Sequence, residues 1–387
     1  MRVAFVTDEV LPSTGADTIQ FINALSALAA RGVDVDLVLP IEPDAQGEPE
    51  AIRARLIEHY GAACGFRVVP VRAALTDLPR VFTKLAAGAL GSARALSARP
   101  DLVHTRTLLP SLAALAVGRP LFFETYRPLT RQFAATRPVF RTLTRARAFG
   151  GLVVHSNVAR DAFVEDGVAS DRVVTLYNGF TSSLLDHALP APQARAQLGW
   201  AEAPTLVYAG RLSLAKGLDL FIEAARRLPQ AQLVLVGNAE TDEARAVQAA
   251  TAGLPNVRFT GFLSAQALDL AHQAADVLLI PPSRKPLEQD GTTVLPIKTF
   301  NYMAAGRAIL AGDLVDAREL LRDDDNAVLV APDNVDALVS ALAALLADAP
   351  RRARLGAAAR ALAATLTWDH RAARLVEFYT RRLAALR

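Results

Sequence analysis

A short loop between a predicted strand and a predicted helix brings two cationic side chains together. Gly210 and Arg211 follow the predicted strand 205–209, and Lys216 comes five residues after the arginine. The first backbone N–H groups of a helix bind anions, and two cations at this spacing can converge on one diphosphate. The loop therefore predicts a diphosphate site, and an ordinary solvated loop is the alternative interpretation.

A second stretch, 276–313, has the order of buried strand, polar loop, amphipathic helix and buried strand. Its predicted helix, 295–305, contains Lys298 and carries its apolar residues on one face. Backbone N–H groups at the start of this helix, together with Lys298, favour a second phosphate site. The polar residues of the loop before it include Lys285, Glu288, Asp290, Gly291, Thr292 and Thr293.

Lysine is rare in this chain, although arginine is abundant. The lysines are Lys84, Lys216, Lys285 and Lys298, and the last three lie in or near the two candidate phosphate sites. Lysine presents a compact ammonium on a flexible stem, whereas arginine presents a planar fork. Its retention at these positions indicates a specific role in binding.

Motifs and residue counts argue against several other chemistries. No G-x-G-x-x-G follows a predicted strand and no G-x-x-x-x-G-K-[ST] occurs, which argues against a nicotinamide dehydrogenase and a P-loop NTPase. The single cysteine, Cys64, excludes a disulfide framework and a cysteine-based zinc site. His155 and Ser156 point to opposite sides of a strand and do not form a catalytic pair. The aspartate run 323–325 is interpreted as a solvated turn, and no metal is expected.

The segment 61–160 is strongly basic, with three acidic residues against fifteen lysines and arginines. Basic residues there alternate with the apolar faces of predicted helices at 78–97 and 129–149. This pattern favours an anionic membrane surface or a phosphate-bearing acceptor, and an ordinary solvated face is the alternative. Nucleic acid is not expected as a partner, because the segment lacks aromatic residues interleaved on strands.

Both candidate sites belong to a repeating order of strand, loop and helix. Apolar runs predict seven strands in the first half of the chain and six in the second, with helical patterns between them. This order is typical of doubly wound parallel sheets, which bind ligands beyond the carboxyl ends of their strands. The site is therefore expected in the cleft between two Rossmann-like halves.

A chain of 387 residues is too long for one ordinary core. We predict a first Rossmann-like domain at 1–180, a linker at 181–204, a second Rossmann-like domain at 205–365, and a helix at 366–387 that packs back on the first domain. No apolar run approaches the roughly 20 residues that span a bilayer, and the N-terminus begins as a strand. A cytoplasmic protein is therefore expected.

The motifs described above resemble a known family. Gly210-Arg211 with Lys216-Gly217, followed by the segment KTFNYMAAG at 298–306, resembles the retaining nucleotide-sugar glycosyltransferases of the GT4 type, or glycosyl transferases group 1. The segments LYNG at 176–179 and FTGFL at 259–263 are similar to two further segments of that family. The resemblance spans nearly the whole chain and implies an α/β GT-B fold, with two facing Rossmann-like domains.

The resemblance also implies roles for individual residues. Arg211 and Lys216 would hold the donor's diphosphate and stabilise the charge that develops on the leaving nucleotide. Tyr126 occupies the position where the family often has a histidine that faces the reacting sugar. The donor-binding residues implied are Gly210, Phe262, Leu263, Asp290, Gly291, Thr292, Thr293, Lys298 and Asn301.

Two of the donor-side positions depart from the family pattern. Asn301 replaces a glutamate that binds the ribose hydroxyls, and its amide can still form hydrogen bonds but carries no charge. An upstream family carboxylate falls at Thr293, and Glu288 or Asp290 can substitute for it from the longer loop.

On the acceptor side, the predicted residues are Gly15, which the resemblance implies, with His104 and Glu124. Gly15 lies in the turn after the first predicted strand, where the family's usual second glycine is Ala16. His104 follows a strand directed at the expected cleft. A buried, hydrogen-bonded structural histidine is the alternative for His104.

These observations predict a retaining hexosyltransferase-like enzyme. It would move a sugar from a UDP- or GDP-sugar to a hydroxyl of a cell-envelope glycan or lipid-linked acceptor, as in polysaccharide biosynthesis, without a cofactor or a metal. Peripheral binding to the inner face of the membrane would follow from the basic segment 61–160. The alternative is a degenerate transferase that serves as a non-catalytic sugar-nucleotide-binding or scaffold subunit, which Asn301, Thr293 and Tyr126 favour.

Overall fold

The computed structural model describes residues 1–13, 16–42, 47–73, 79–186, 188–290 and 295–387, without the side chains of residues 16, 80, 287, 289 and 290. The described residues form two compact units. The first comprises Met1–Gly179 with Trp368–Arg387, and the second comprises Phe180–Thr367. Residues 181–204, predicted as a linker, lie within the second unit.

The first unit is organised around one parallel sheet. Its strands are β1 (Arg2–Val6), β2 (Asp34–Ile41), β3 (Arg67–Arg72), β4 (Leu102–Thr105), β5 (Leu121–Thr125), β6 (Phe149–Val154) and β7 (Val173–Thr175). In the described part of the chain they form a seven-stranded sheet in the order β3-β2-β1-β4-β5-β6-β7, as a doubly wound fold predicts. Its helices before the second unit are α1 (Ala16–Ala30), α2 (Pro49–Tyr60), α3 (Arg80–Ser97), α4 (Leu108–Ala116), α5 (Leu129–Gln132), α6 (Arg137–Arg145) and α7 (Asn157–Glu165).

Each strand of this sheet contributes to two cores, because successive side chains point to opposite faces. Phe5 of β1 and Phe122 of β5 lie in a core that includes buried residues of α1 and α2. The next residues along each strand, Val6 and Phe123, lie in a second core with Phe140 of α6. Burial on both faces explains why the strands are continuous apolar runs.

The second unit repeats this plan. Its strands are β8 (Thr205–Ala209), β9 (Gln232–Val236), β10 (Val257–Gly261), β11 (Val277–Leu279), β12 (Ala308–Gly312) and β13 (Val328–Val330). Over the described residues they form a six-stranded parallel sheet in the order β10-β9-β8-β11-β12-β13. Its helices are α8 (Ala191–Leu198), α9 (Leu218–Arg227), α10 (Asp242–Ala250), α11 (Ala265–Ala274), α12 (Lys285–Asp290), α13 (Lys298–Ala305), α14 (Val335–Ala347) and α15 (Ala349–Ala363).

The last helix, α16 (Trp368–Leu386), returns to the first unit, as the predicted fold class requires. Phe378 and Tyr379 of α16 lie in the same core as Phe122. Gly151 of β6 makes this packing possible, since a Cβ there would lie 2.5 Å from the Phe378 ring. No helix in the described ranges is both long enough and apolar enough to cross a membrane.

One predicted helix of the first unit is broken in the structure. The segment 129–149 contains α5, a 3₁₀ turn at Ala134–Thr136 and α6, and residue 149 already belongs to β6. Pro138 explains the break, because proline lacks an N–H and is tolerated in the first turn of a helix but not in its interior.

Two further differences concern the stretch 276–313. Residues 285–290 form α12 where a loop was predicted, and Ser283 Oγ accepts a hydrogen bond from the Lys285 N–H at 3.2 Å. Helix α13 begins at Lys298 rather than at 295, because a turn precedes it in which the Thr299 N–H donates to the Pro296 carbonyl at 3.0 Å. Lys298 is therefore the first residue of its helix.

Candidate functional site

Two buried tyrosines hold the loop that follows β8. Tyr208, on β8, donates its hydroxyl hydrogen to the Arg211 carbonyl at 2.8 Å. Tyr302, on α13, accepts a hydrogen bond from the Ala209 N–H at 2.8 Å. Burial raises the pKa of both phenols, so both remain neutral hydrogen-bonding groups. The backbone from Ala209 to Arg211 is thereby fixed in position.

Arg211 points into solvent and is paired with Glu243 of α10. The two side chains are 69% and 42% exposed. The pair is bidentate, with Arg211 Nε and Nη2 each donating to a different Glu243 oxygen at 2.7 Å. Exposed pairs contribute at most about 1 kcal/mol, so a more highly charged ligand can displace Glu243 from the guanidinium.

Lys298 lies next to the same loop. Its Nζ is 3.7 Å from the centroid of the Tyr208 ring, which is a cation–π arrangement. Gly210 has a φ of +147°, and a Cβ at that position would come within 2.7 Å of the Lys298 Nζ. Burial, reinforced by the charge of Lys216, lowers the pKa of Lys298 to about 7. Glycine at 210 thus allows the ammonium to approach the loop backbone.

Lys216 ends a 3₁₀ turn that leads directly into α9. Gly217, the residue between the turn and the helix, has a φ of +85°, and a Cβ there would lie 2.5 Å from the Ser283 side chain. The predicted pair of Arg211 and Lys216 therefore flanks one loop. The structure adds Lys298 as a third cation beside it.

The ends of three neighbouring strands lie side by side next to this loop. The Gly237 N–H donates to the Gly261 carbonyl at 3.2 Å, and a Cβ on Gly237 would lie 2.2 Å from the Gly210 carbonyl oxygen. Phe262, the residue after β10, is 87% exposed. Adjacent strands are about 4.8 Å apart, which places Phe262 roughly 10 Å from the Gly210 loop. At these strand ends the glycine backbone carries no side chains, and the aromatic ring of Phe262 is exposed at one end.

The other predicted donor-side residues lie in different surroundings. Leu263 and Asn301 are half-buried, and within the described residues the Asn301 amide has no hydrogen-bond partner. Asp290 is the last residue of α12, and its side chain is not described. The predicted site residues that lie outside the described ranges are Gly15, Gly291, Thr292 and Thr293.

The first unit contains a separate cavity of about 380 Å³. It lies at the C-terminal ends of β1, β4 and β5, where doubly wound sheets bind ligands. Its volume suits a small polar molecule. The charged and aromatic residues that line it are Phe5, Asp8, Glu9, Asp17, Phe21, Lys84, Arg106 and Tyr126.

Opposite charges meet in this cavity. Lys84 Nζ lies 3.4 Å from Glu9 Oε1 and 3.7 Å from Asp8 Oδ2. Burial acts to lower the pKa of Lys84, but the two carboxylates outweigh it and raise that pKa. Burial raises the pKa of Asp8 despite the nearby ammonium. Lys84 therefore remains charged at the cavity wall.

Glu124 lies behind this wall, at the centre of a buried cluster. It is 3% exposed and accepts a hydrogen bond from Arg106 Nε at 3.1 Å. His155 Nε2 lies 2.8 Å from Glu124 Oε1, and His104 Nε2 lies 3.0 Å from Glu124 Oε2. Arg371 of α16 reaches the same carboxylate at 3.4 Å. Glu124 and His104, predicted on the acceptor side, thus support Arg106 from behind, while Tyr126 lines the cavity itself.

The cluster has defined protonation states. Burial would raise the pKa of Glu124, but Arg106, Arg371 and the two histidines outweigh it and hold that pKa well below its usual range. Burial lowers the pKa of His104, and lowers that of His155 to about 4. Glu124 is therefore ionised and both histidines are neutral at physiological pH.

Other buried groups complete the arrangement. Tyr379 of α16 contacts the His104 Nδ1 through its hydroxyl. Ser156 caps α7 by accepting a hydrogen bond from the Ala159 N–H at 3.1 Å, while His155 is turned towards Glu124. The two neighbours therefore have separate structural roles, although both lie after the end of β6 and not on a strand as predicted.

Sequence reasoning missed several residues of both sites. Tyr208 and Tyr302 were not singled out, although a tyrosine at the end of a buried strand needs a hydrogen-bond partner for its hydroxyl. Arg106 and Lys84 were counted only as part of the basic segment. Glu243 lacked any local signature, because its pairing with Arg211 spans 32 positions.

Two family models match the chain, one in each half. The model described as Glycosyltransferase Family 4 matches residues 19–183, and the model described as Glycosyl transferases group 1 matches residues 191–362. The chain is 28% identical over 400 residues to a D-inositol 3-phosphate glycosyltransferase from Xylanimonas cellulosilytica, an alignment that covers 94% of this chain and 91% of the relative. It is 33% identical over 203 residues to a GDP-mannose-dependent alpha-(1-6)-phosphatidylinositol monomannoside mannosyltransferase from Mycobacterium tuberculosis, covering 50% of this chain and 52% of the relative.

Solved structures of other proteins share the architecture of this chain. A sucrose-phosphate synthase from Thermosynechococcus elongatus has a TM-score of 0.76 and 21% identity, covering 99% of each chain. Anabaena HepE in complex with UDP and glucose has a TM-score of 0.70 and 20% identity, covering 97% of this chain and 99% of that one. At these identities the similarity establishes a shared fold.

Proposed function

Because the chain belongs to the glycosyltransferases, with a family 4 domain followed by a group 1 domain, we propose that it transfers a sugar from a nucleotide-diphosphate sugar to a hydroxyl of a lipid-linked or cell-envelope acceptor, with retention of configuration. The observation that supports this most strongly is the group of cations around the loop after β8. Arg211, Lys216 and Lys298 lie on or beside that loop. Three cationic side chains around one loop favour an anionic ligand over a neutral one.

The donor's diphosphate occupies the loop after β8 in this proposal. Arg211 exchanges Glu243 for phosphate oxygens, and Lys216 approaches from the other end of the same loop. When the sugar–phosphate bond breaks, negative charge builds on the leaving diphosphate. Fixed cations stabilise this charge more in the transition state than in the ground state, which lowers the barrier.

The nucleoside extends along the strand ends towards Phe262. The glycines beside the loop leave the backbone open, and Phe262 is the exposed ring beyond them. A nucleobase stacks well on such a ring. Asn301, with an amide that has no partner in the described part of the chain, is available for the ribose hydroxyls.

The cavity of the first unit receives the acceptor. Its acidic groups accept hydrogen bonds from hydroxyls, while Lys84 and Arg106 offer charge to a phosphate. Two relatives are named for inositol 3-phosphate and phosphatidylinositol monomannoside. A phosphorylated polyol, free or as a lipid headgroup, fits both the cavity chemistry and those names.

One face of the first unit suits a lipid surface, and we call it the α3–α4 face. A Cβ on Gly88 of α3 would lie 2.9 Å from the Leu109 side chain of α4, so the two helices adjoin there. Helix α6 contacts α4, and its Arg141 and Arg145 are exposed and have no ion pair among the described residues. Such a surface combines apolar insertion with attraction to anionic headgroups. Its exposed apolar side chains are Val81, Phe82, Leu85, Leu90, Leu108, Leu109, Leu112 and Val117.

A screen for nucleoside diphosphate release tests the proposed function. The purified chain is incubated with UDP- and GDP-sugars, alone and with bacterial membrane extract or inositol phosphates. We expect release with one class of donor and stimulation by an acceptor. Donor binding without release under any acceptor condition would instead indicate a non-catalytic subunit, and no binding of any donor would refute the proposal.

A further inference from the structure

The ammonium of Lys298 lies among uncharged groups and one other cation. The elements around it contribute Tyr208 from β8, Tyr302 from α13, His272 from α11 and Lys216 from the loop after β8. Both phenols are neutral. Burial and the charge of Lys298 lower the pKa of His272 to about 3, so this imidazole is neutral as well.

Two other lysines have the partners that Lys298 lacks. Lys285 Nζ lies 2.6 Å from Asp219, and Lys84 Nζ lies 3.4 Å from Glu9. For Lys298, by contrast, the described residues place no carboxylate at ion-pair distance. Lys298 is half-buried, and withdrawing an ammonium from water without a counter-charge disfavours its charged form.

The position of the Lys298 ammonium indicates which ligand supplies the missing negative charge. Its approach to Gly210 places it beside the loop to which the diphosphate is assigned. Building on the proposed donor site, we propose that Lys298 is a third cationic ligand of the donor's diphosphate and that it takes up a proton as the donor binds. The bound phosphates would supply the negative charge that none of the described residues places beside Lys298.

The direction of the pH dependence follows from linkage. In the free protein the pKa of Lys298 is about 7, and a diphosphate beside it would raise this pKa. Below pH 7 the lysine is charged before and after binding, so no proton moves. Above pH 7, Lys298 is neutral in the free protein and charged in the complex, so binding takes up as much as one proton. The affinity for the donor therefore falls by up to about tenfold for each pH unit.

Isothermal titration calorimetry measures this uptake directly. Wild-type protein is titrated with a panel of UDP- and GDP-sugars at about pH 6 and about pH 8.5, each in two buffers of different ionisation enthalpy. Sugar nucleotides are preferable to UDP or GDP, because their diphosphate lacks a terminal phosphate that titrates near neutral pH. We expect uptake approaching one proton at the higher pH and little at the lower pH.

Three variants separate a role in binding from a role in folding. Lys298→Met should bind the donor about tenfold more weakly at pH 6 and take up no proton at either pH. Lys298→Arg should retain binding but lose the uptake, because a guanidinium is always charged. Arg226→Met, a change at an exposed cation of α9 in the same unit, should keep the uptake. Circular dichroism checks that all three remain folded.

The outcomes distinguish this inference from the function it rests on. Donor binding with no proton uptake at pH 8.5, or uptake that persists in Lys298→Met, would overturn the role of Lys298 and leave the donor site standing. Failure of the wild-type protein to bind any donor at either pH would overturn both.

Discussion

At the scale of single residues, the cations of the second unit differ in how they are neutralised. Arg211 is held by Glu243 in an exposed bidentate pair, and Lys285 is held by Asp219. Among the described residues, the groups around Lys298 are neutral apart from Lys216, and the pKa of Lys298 is lowered. A diphosphate must therefore displace a carboxylate from Arg211, whereas it can approach Lys298 without such competition.

Removing the competing carboxylate should tighten donor binding. Glu243→Gln keeps the size of the side chain but removes the charge that occupies the guanidinium. Because an exposed pair is worth at most about 1 kcal/mol, we expect the Kd for nucleotide sugars to fall by up to about fivefold. Calorimetric titration measures the change. Glu240→Gln is the control, because Glu240 is a neighbouring acidic residue without an ion pair in the described ranges. Weaker donor binding by Glu243→Gln would contradict competition between Glu243 and the diphosphate for Arg211.

At the scale of secondary structure, α16 joins the sheet of the first unit through buried polar contacts as well as apolar packing. Arg371 reaches Glu124, Tyr379 contacts His104, and Arg382 donates to the Gly150 carbonyl at 2.8 Å. The same carboxylate positions Arg106 at the cavity wall. The helix and the proposed acceptor site are thus coupled through Glu124.

Neutralising Glu124 should loosen α16. Glu124→Gln leaves the buried Arg371 guanidinium and the half-buried Arg106 guanidinium without their shared anion. Removing one partner of a buried ion pair costs about 3–5 kcal/mol. Hydrogen–deuterium exchange should show faster exchange in peptides of 368–386 at neutral pH. Glu223→Gln, which breaks only exposed contacts on α9, should leave that exchange unchanged.

The effect of Glu124→Gln should also depend on pH. The pKa of Glu124 is lower in the folded state than in the unfolded chain, so its stabilisation is complete above about pH 4.3 and is lost as the pH falls towards the folded-state value. The difference in Tm between wild type and Glu124→Gln should therefore shrink in acid. A difference that stays constant down to low pH would exclude an ionised Glu124 as its source.

The α3–α4 face makes a separate prediction at this scale. Phe82→Ser with Leu85→Ser removes two exposed apolar side chains, 47% and 54% exposed, and should not disturb the core. We expect weaker cosedimentation with vesicles that contain anionic lipid, and little binding of either protein to neutral vesicles. Val315→Ser, an equally exposed apolar residue of the second unit, is the control. Unchanged sedimentation of the double variant would exclude this face.

At the scale of the whole molecule, the alternation of strands and helices predicted both sheets. Each predicted strand has a counterpart, because apolar runs such as 205–209 and 232–236 are buried on both faces and bounded by polar loops. Helix boundaries were less predictable. Pro138 interrupts the helix that periodicity suggested over 129–149. A turn closed by the Thr299 N–H and the Pro296 carbonyl delays the start of α13 to Lys298.

The site was predictable only where it is local in sequence. Arg211 and Lys216 share one loop, and their spacing indicated a diphosphate site. Contacts such as Arg211 with Glu243, or Glu124 with Arg371, join positions far apart in the chain, and nothing in the local pattern specifies them. Burial and the charge of Lys216 lower the pKa of Lys298, and this burial arises from packing that the sequence spacing does not specify.

We propose that the cations of the loop after β8 stabilise the departing nucleotide. The most direct test of this role is the kcat/KM for nucleoside diphosphate release by wild type, Arg211→Ala and Lys216→Ala, with Arg226→Ala as a control on the exposed surface of α9. We expect each loop variant to lose about 10²–10³-fold in kcat/KM, with Tm unchanged and the control near wild type. Near-normal release by Arg211→Ala or Lys216→Ala would contradict the account.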